Sequence, residues 1–343
     1  MNDDTFIICT RTSKNDKFVS EPGITQYLAV SEQDKSYSPA NSITRAKWRK
    51  RVMDAADGKE DSITGMRGDV LVFIHGYNND IPTVLWRTRT LQRTLREQGW
   101  KGVVVGFDWP SANSTLNYLE DRSDASAVSL ELVRESLDLL VEAQTPKRAG
   151  TPVCKLNVHL IAHSTGAYVI MEAFAQAMHH GNYFKSDWRI GQVAFIGGDV
   201  STDSLTKHNG SHPMFDRIMR LTNYSNGCDK VLAVSNAKRL GIAPRVGRVG
   251  LPPEVYRKAV NVDCTEYFQT KDPEKSLFCG TFNHSWHIGD PVFALDLALT
   301  LEGEIDRGHI PTRIQSGNLL SLRADGARPT FQSKWDTSAP EGK

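Results

Sequence analysis

The chain has 343 residues, 39% apolar and 24% charged, with a net charge of +1; this is a globular composition, and it excludes a strong overall field toward nucleic acid or an anionic membrane. No apolar run approaches the roughly 18 residues that cross a bilayer, and the start Met1, Asn2, Asp3, Asp4 is unlike a secretory leader. Five scattered cysteines without a CxxC pair (Cys9, Cys154, Cys228, Cys264, Cys279) imply reduced thiols rather than a disulfide framework or a zinc ribbon.

These features lead us to expect a cytoplasmic protein, although a leaderless export route would leave no trace of this kind. Residues 5–10 and 26–31 read as short strands, and a helix is expected near 42–56. That helix holds a basic cluster, Arg45, Lys47, Arg49, Lys50 and Arg51 around Trp48, read as a solvated face. Val70, Leu71, Val72, Phe73 and Ile74 are apolar without interruption, the mark of a parallel strand buried on both faces. A helix over about 81–98 follows, then a strand at 103–105 and a long helix over about 124–144. Strands at 156–161, 193–196, 218–222 and 259–262 come next, with a helix from 166 to 178 between the first two and a last helix at about 291–301. This alternation predicts an α/β fold: a mostly parallel central sheet with helices on both faces.

Ala162, His163, Ser164, Thr165 and Gly166 fall between a predicted strand and a predicted helix. A sharp strand-to-helix turn around a serine needs small residues two places to either side, where larger side chains collide. Such a turn presents Ser164 as a nucleophile and the Thr165 backbone N–H to a developing oxyanion. His75, Gly76 and Tyr77 end the earlier strand, where the loop of such a fold supplies a second oxyanion donor; Tyr77 N–H is the candidate.

A serine needs a base. In this fold the order along the chain is serine, acid, histidine. His284 lies after the last expected strand, with His287 as its rival three residues on. Asp229 follows the strand at 218–222 and is the expected acid; Asp199 and Asp263 are alternatives at the ends of neighbouring strands. Trp109, Tyr118 and Trp286 are candidates for an acyl pocket, each weighed against ordinary core packing.

These residues resemble the bacterial α/β-hydrolase family known as domain of unknown function 900, over most of residues 5–302. The markers are Thr10 and Arg11; Phe73 through Asn78; Asp108, Trp109, Pro110 and Ser111 with Tyr118, Asp121 and Arg122; and Ala162 through Gly166. Gly198, Asp199 and Val200, Asp229 through Leu232, Arg245 with Gly247, and His284 with Ser285 complete the set. The resemblance implies Ser164, Asp229 and His284 as the triad, and it makes Asp199 part of a motif outside the triad. It also implies esterase- or lipase-like activity without a cofactor. Asn283 stands where the family more often has glycine before the histidine, and Trp286 replaces an aromatic of different size.

The expected function is therefore carboxylic ester hydrolysis through an acyl-enzyme on Ser164, with a small-molecule acyl ester as substrate, no metal, no nucleic-acid partner and no membrane span. The alternatives are a non-catalytic scaffold of the same fold, or a lipid-acting effector with the same chemistry. We expect residues 1–68 to pack as a lead-in on one catalytic domain, 69–302. Segments 201–216 and 264–283 are possible caps over the site. Residues 303–343 form a C-terminal extension whose end we expect to be flexible.

Overall fold

A computed structural model of the protein describes residues 4–56, 69–111, 129, 131–132, 157–179, 188–207, 209, 211–237 and 244–329. The expected helix over 124–144, apart from Ser129, Glu131 and Leu132, lies outside the described residues, as do Tyr118, Asp121, Arg122, Cys154 and the chain end after 329.

Strands β1 (Thr5–Lys14), β2 (Lys17–Val30), β3 (Ser42–Ile43), β4 (Val70–Ile74), β5 (Val103–Asp108), β6 (Val158–His163), β7 (Ile190–Ile196), β8 (Ile218–Ser225), β9 (Ala259–Asp263), β10 (Arg313–Ser316) and β11 (Leu319–Leu322) form one 11-stranded sheet. Its order is β10-β11-β9-β8-β7-β6-β4-β5-β1-β2-β3. Every pairing from β11 through β9, β8, β7, β6, β4 and β5 to β1 is parallel. The antiparallel pairs β1–β2, β2–β3 and β10–β11 sit at the two edges.

Every residue of β4, β5 and β6 is buried, as the unbroken apolar run of β4 requires. Successive side chains alternate between two cores. Val70, Val72 and Ile74 join Trp48 and Val52 of α1 (Arg45–Ala56) and Val169, Ile170 and Phe174 of α3 (Gly166–His179). Leu71 and Phe73 join Leu91 and Leu95 of α2 (Ile81–Glu97), together with Phe293 and Leu297. Helix α2 starts where Asp80 accepts the Thr83 N–H, with Pro82 in its first turn. The basic face of α1 is largely solvated: Lys50 pairs with Asp54, while Arg51 pairs with Asp4.

The sheet is wider than the sequence reading. β1 and β2 form a long hairpin whose turn residues Asn15 and Asp16 both have left-handed φ (+50° and +58°); this turn form matches the strand twist. Beyond the last expected helix, where the chain turns polar, β10 and β11 add a second hairpin to the far edge, with Gly317 at φ +57° in its turn. It is pinned by buried Arg313, which meets Asp296 at 2.6 Å.

The parallel strands share one direction, so their carboxyl ends bring His75, Asp108, Ser164, Asp199 and Asp229 to one end of the sheet. That is where open α/β sheets bind ligands.

Candidate active site

Strand β6 ends at His163 and α3 begins at Gly166, leaving two residues for the turn. Ser164 occupies it with φ +56°. For a residue with a Cβ this conformation costs on the order of 1–2 kcal/mol, and surrounding bonds must hold it. They do: Ser164 N–H donates to Ile196 O at 3.1 Å, and Ser164 O accepts from Asp199 N at 3.0 Å and Ala167 N at 3.1 Å. The small neighbours are required by contact. A Cβ on Gly166 would lie 2.4 Å from Ile74 O, and one on Gly76 would lie 2.6 Å from Ser164 Cβ.

The turn after β8 carries Asp229, 1% exposed, just before α4 (Lys230–Ala237). Its Oδ1 accepts the Leu232 N–H at 3.0 Å, and its Oδ2 meets His284 Nδ1 at 2.6 Å. His284 sits on the short helix α5 (Phe282–Ser285). Gly197, at φ +54°, passes so close to this pair that a Cβ would be 3.1 Å from the imidazole. The ring of His163, the residue before Ser164, packs 4.6 Å from that of His284. Asp229 and His284 are thus in contact at the end of the sheet where Ser164 turns, one residue after His163. Ser164 Oγ makes no hydrogen bond among the described residues; in free enzymes such contacts often tighten only with substrate.

The rival acids are placed elsewhere. Asp199 Oδ1 is held by Arg245 Nε and by the Ser235 hydroxyl, each at 3.0 Å. Asp263 Oδ1 accepts from Thr265. The rival base His287 stacks on Trp286 at 4.1 Å, and neither ring nitrogen has a hydrogen-bond partner among the described residues. Burial, then the neighbouring His284, lowers its pKa to about 3.

Of the two expected oxyanion donors, Thr165 N–H makes no hydrogen bond among the described residues, whereas Tyr77 N–H donates to Thr165 Oγ1 at 3.1 Å. Trp109 is fully buried, donates from Nε1 to His75 O at 2.9 Å and stacks on the His75 ring. Trp286, 2% exposed, packs against Tyr267, Phe268 and Phe293. The segments read as caps hold a short helix at His212–Arg217 and another at Thr265–Gln269.

The sequence reading did not assign a role to the buried cluster beneath the His75–Asn79 loop. Asp108 Oδ1 and Oδ2 both accept from Arg11 Nε at 2.9 Å, and Oδ2 also accepts the Tyr37 hydroxyl at 2.8 Å. Oδ1 lies 3.1 Å from His75 Nε2. Arg11 reaches on to Asn79 O at 2.9 Å, and Asn79 Nδ2 donates to Gly76 O and Tyr77 O. Burial works to raise the Asp108 pKa, but the Arg11 charge, the neighbouring His75 and the Tyr37 hydroxyl outweigh it and hold the carboxyl at about 2. Burial lowers the His75 pKa although Asp108 pulls the other way. Thr10, Arg11 and the Asp108–Ser111 run, noted only as family markers, are the parts of this support. Among the described residues no group of three or more His, Cys, Asp or Glu side chains is placed to hold a metal ion.

The model of the family described as "Alpha/beta hydrolase of unknown function (DUF900)" matches residues 56–287. A search of the curated proteins finds no match. Among solved structures, the chain is similar to a hyperthermophilic esterase from the archaeon Pyrobaculum calidifontis, with 11% identity over 68% of this chain and 76% of that one and a TM-score of 0.33. It is also similar to a metagenomic carboxyl esterase (10% identity, 69% and 76% covered, TM-score 0.33). An esterase/lipase from an uncultured bacterium gives 11% identity, 70% and 89% covered, and a TM-score of 0.31. Among the described residues no helix is long and apolar enough to cross a membrane.

Proposed function

The chain belongs to the DUF900 family of α/β-hydrolases, and from that premise we propose that it is a serine hydrolase that cleaves small carboxylic esters through an acyl-enzyme on Ser164. The observation that carries this reading is the 2.6 Å contact of His284 Nδ1 with buried Asp229, set beside the left-handed turn of Ser164.

The chemistry runs as follows. Asp229 accepts a hydrogen bond from His284 Nδ1–H and stays ionised, which leaves Nε2 as the basic nitrogen. Nε2 takes the Ser164 hydroxyl proton as Oγ bonds to the ester carbonyl carbon. The carbonyl π electrons move to oxygen, and the Thr165 N–H at the start of α3 stabilises that oxyanion. Tyr77 N–H is the second donor, and it reaches the oxyanion once the Thr165 hydroxyl swings aside. Collapse expels the alcohol, which takes the proton from His284. Water, deprotonated by His284, then attacks the acyl carbon; the acid leaves as the Ser164 Oγ–C bond breaks, and His284 returns the proton to Oγ.

The test is hydrolysis of p-nitrophenyl esters of increasing chain length. The wild type turns them over, while Ser164→Ala loses several orders of magnitude, as much as ~10⁶. Equal rates for the two proteins would end this reading.

A further inference from the structure

Helix α2 carries a buried cation that the mechanism above does not use. Arg87 is 4% exposed and forms no ion pair with a described carboxylate, an expensive state for a charge. Burial accordingly pulls its pKa down to about 10, although Cys279 and Asp80 oppose the shift. Its two terminal nitrogens reach toward the active site: Nη1 lies 3.2 Å from His163 Nδ1, and Nη2 donates to Cys279 O at 2.8 Å and to Ser285 Oγ at 3.2 Å, while Nε has no partner among the described residues. A guanidinium only donates, so His163 Nδ1 must accept and the ring proton must sit on Nε2. That nitrogen lies 3.0 Å from the backbone oxygen of His284, which can only accept. Burial first, then the Arg87 charge, pushes the His163 pKa well below its ordinary value, so the ring stays neutral and can fill both roles.

We infer that Arg87 is a positioning residue that fixes the tautomer of His163, so that His163 grips the main chain of His284 while Asp229 grips its ring. This role rests on the serine-hydrolase reading, which makes His284 the base to be positioned. Without Arg87, His163 is free to place its proton on Nδ1. Its Nε2 lone pair would then face the His284 carbonyl oxygen, and that repulsion displaces the base. A displacement on the order of 1 Å costs up to about 100-fold in rate.

The first test is ¹⁵N NMR of ring-labelled histidines, with the His163 signal assigned by its loss in His163→Gln. The wild type shows His163 protonated at Nε2 alone, and Arg87→Met shifts it toward the other form. A wild-type ring protonated at Nδ1, or a tautomer indifferent to Arg87, would overturn the inference. This readout is independent of activity.

The second test is a kinetic cycle on p-nitrophenyl ester hydrolysis. Arg87→Met and His163→Leu each lower kcat by about tenfold or more with little change in KM. His163→Gln puts a fixed amide donor where Nε2 stood and recovers most of the rate lost in His163→Leu. In that background Arg87→Met costs less than about twofold, since no tautomer is left to fix. Full loss from Arg87→Met in both backgrounds would make Arg87 a clamp on the 279–285 segment and defeat the inference. A wild type without Ser164-dependent turnover would instead strike the hydrolase reading, leaving the NMR result to decide the tautomer.

Discussion

Replacing Asp108 by Asn removes the carboxylate that neutralises buried Arg11 while keeping its shape. Arg11 is 3% exposed and Asp108 fully buried, so water cannot take over the lost pairing. Breaking a buried pair by removing one partner costs about 3–5 kcal/mol. The pH dependence gives a second estimate. The folded carboxyl titrates at about 2 rather than 3.8, worth about 2 kcal/mol at neutral pH. The larger figure applies to the substitution because it also strands the guanidinium. At a few degrees per kcal/mol, Tm should fall on the order of 10 °C at pH 7. Because the folded pKa is depressed, this stabilisation is complete above the unfolded value and disappears as pH falls through about 2. The gap between wild type and Asp108→Asn therefore narrows across that window. The double variant Asp108→Asn/Arg11→Met, with neither charge buried, recovers most of the loss. Calorimetric scans of the wild type, Asp108→Asn, Arg11→Met and the double variant read all of this. A Tm for Asp108→Asn within about 2 °C of wild type, or strictly additive losses in the double variant, would refute the reasoning.

Other outcomes follow from the same geometry. His287, with a folded pKa of about 3 against an ordinary 6.5, binds its proton in the unfolded chain first. Stability is then greatest above pH 6.5 and falls toward pH 3, by on the order of 5 kcal/mol. His287→Phe flattens that slope in urea titrations while Ser164-dependent turnover persists. Asp229→Asn should lower kcat by about 10⁴, whereas Asp199→Asn, whose carboxylate serves Arg245 and Ser235, should cost far less; similar losses would reopen the choice of acid. Gly166→Ala drives a Cβ to within 2.4 Å of a backbone oxygen, so esterase activity and the native melt should be lost together.

The parallel core was legible because burial on both faces leaves a continuous apolar run, as at Val70–Ile74, and each such run ends in polar residues that the fold collects. The serine turn was legible because steric exclusion writes small residues at fixed spacing. The edges were less visible. Arg313–Ser316 and Leu319–Leu322 are short and polar on one side, yet Gly317 and Asn318 between them are a two-residue hairpin signal that went unread. The Arg11–Asp108–Tyr37 cluster joins residues up to 97 positions apart; nothing local in the chain specifies it. Arg87 gave no sign either, since one arginine in a helix reads as solvated until the fold turns it inward.

The central claim is that Ser164 is an activated nucleophile, and covalent labelling tests it most directly. A fluorophosphonate probe, followed by peptide mass spectrometry, should add one adduct, on Ser164, and Ser164→Ala and His284→Ala should remain unlabelled. Equal labelling of Ser164→Ala, or an adduct mapped to another residue, would contradict the account.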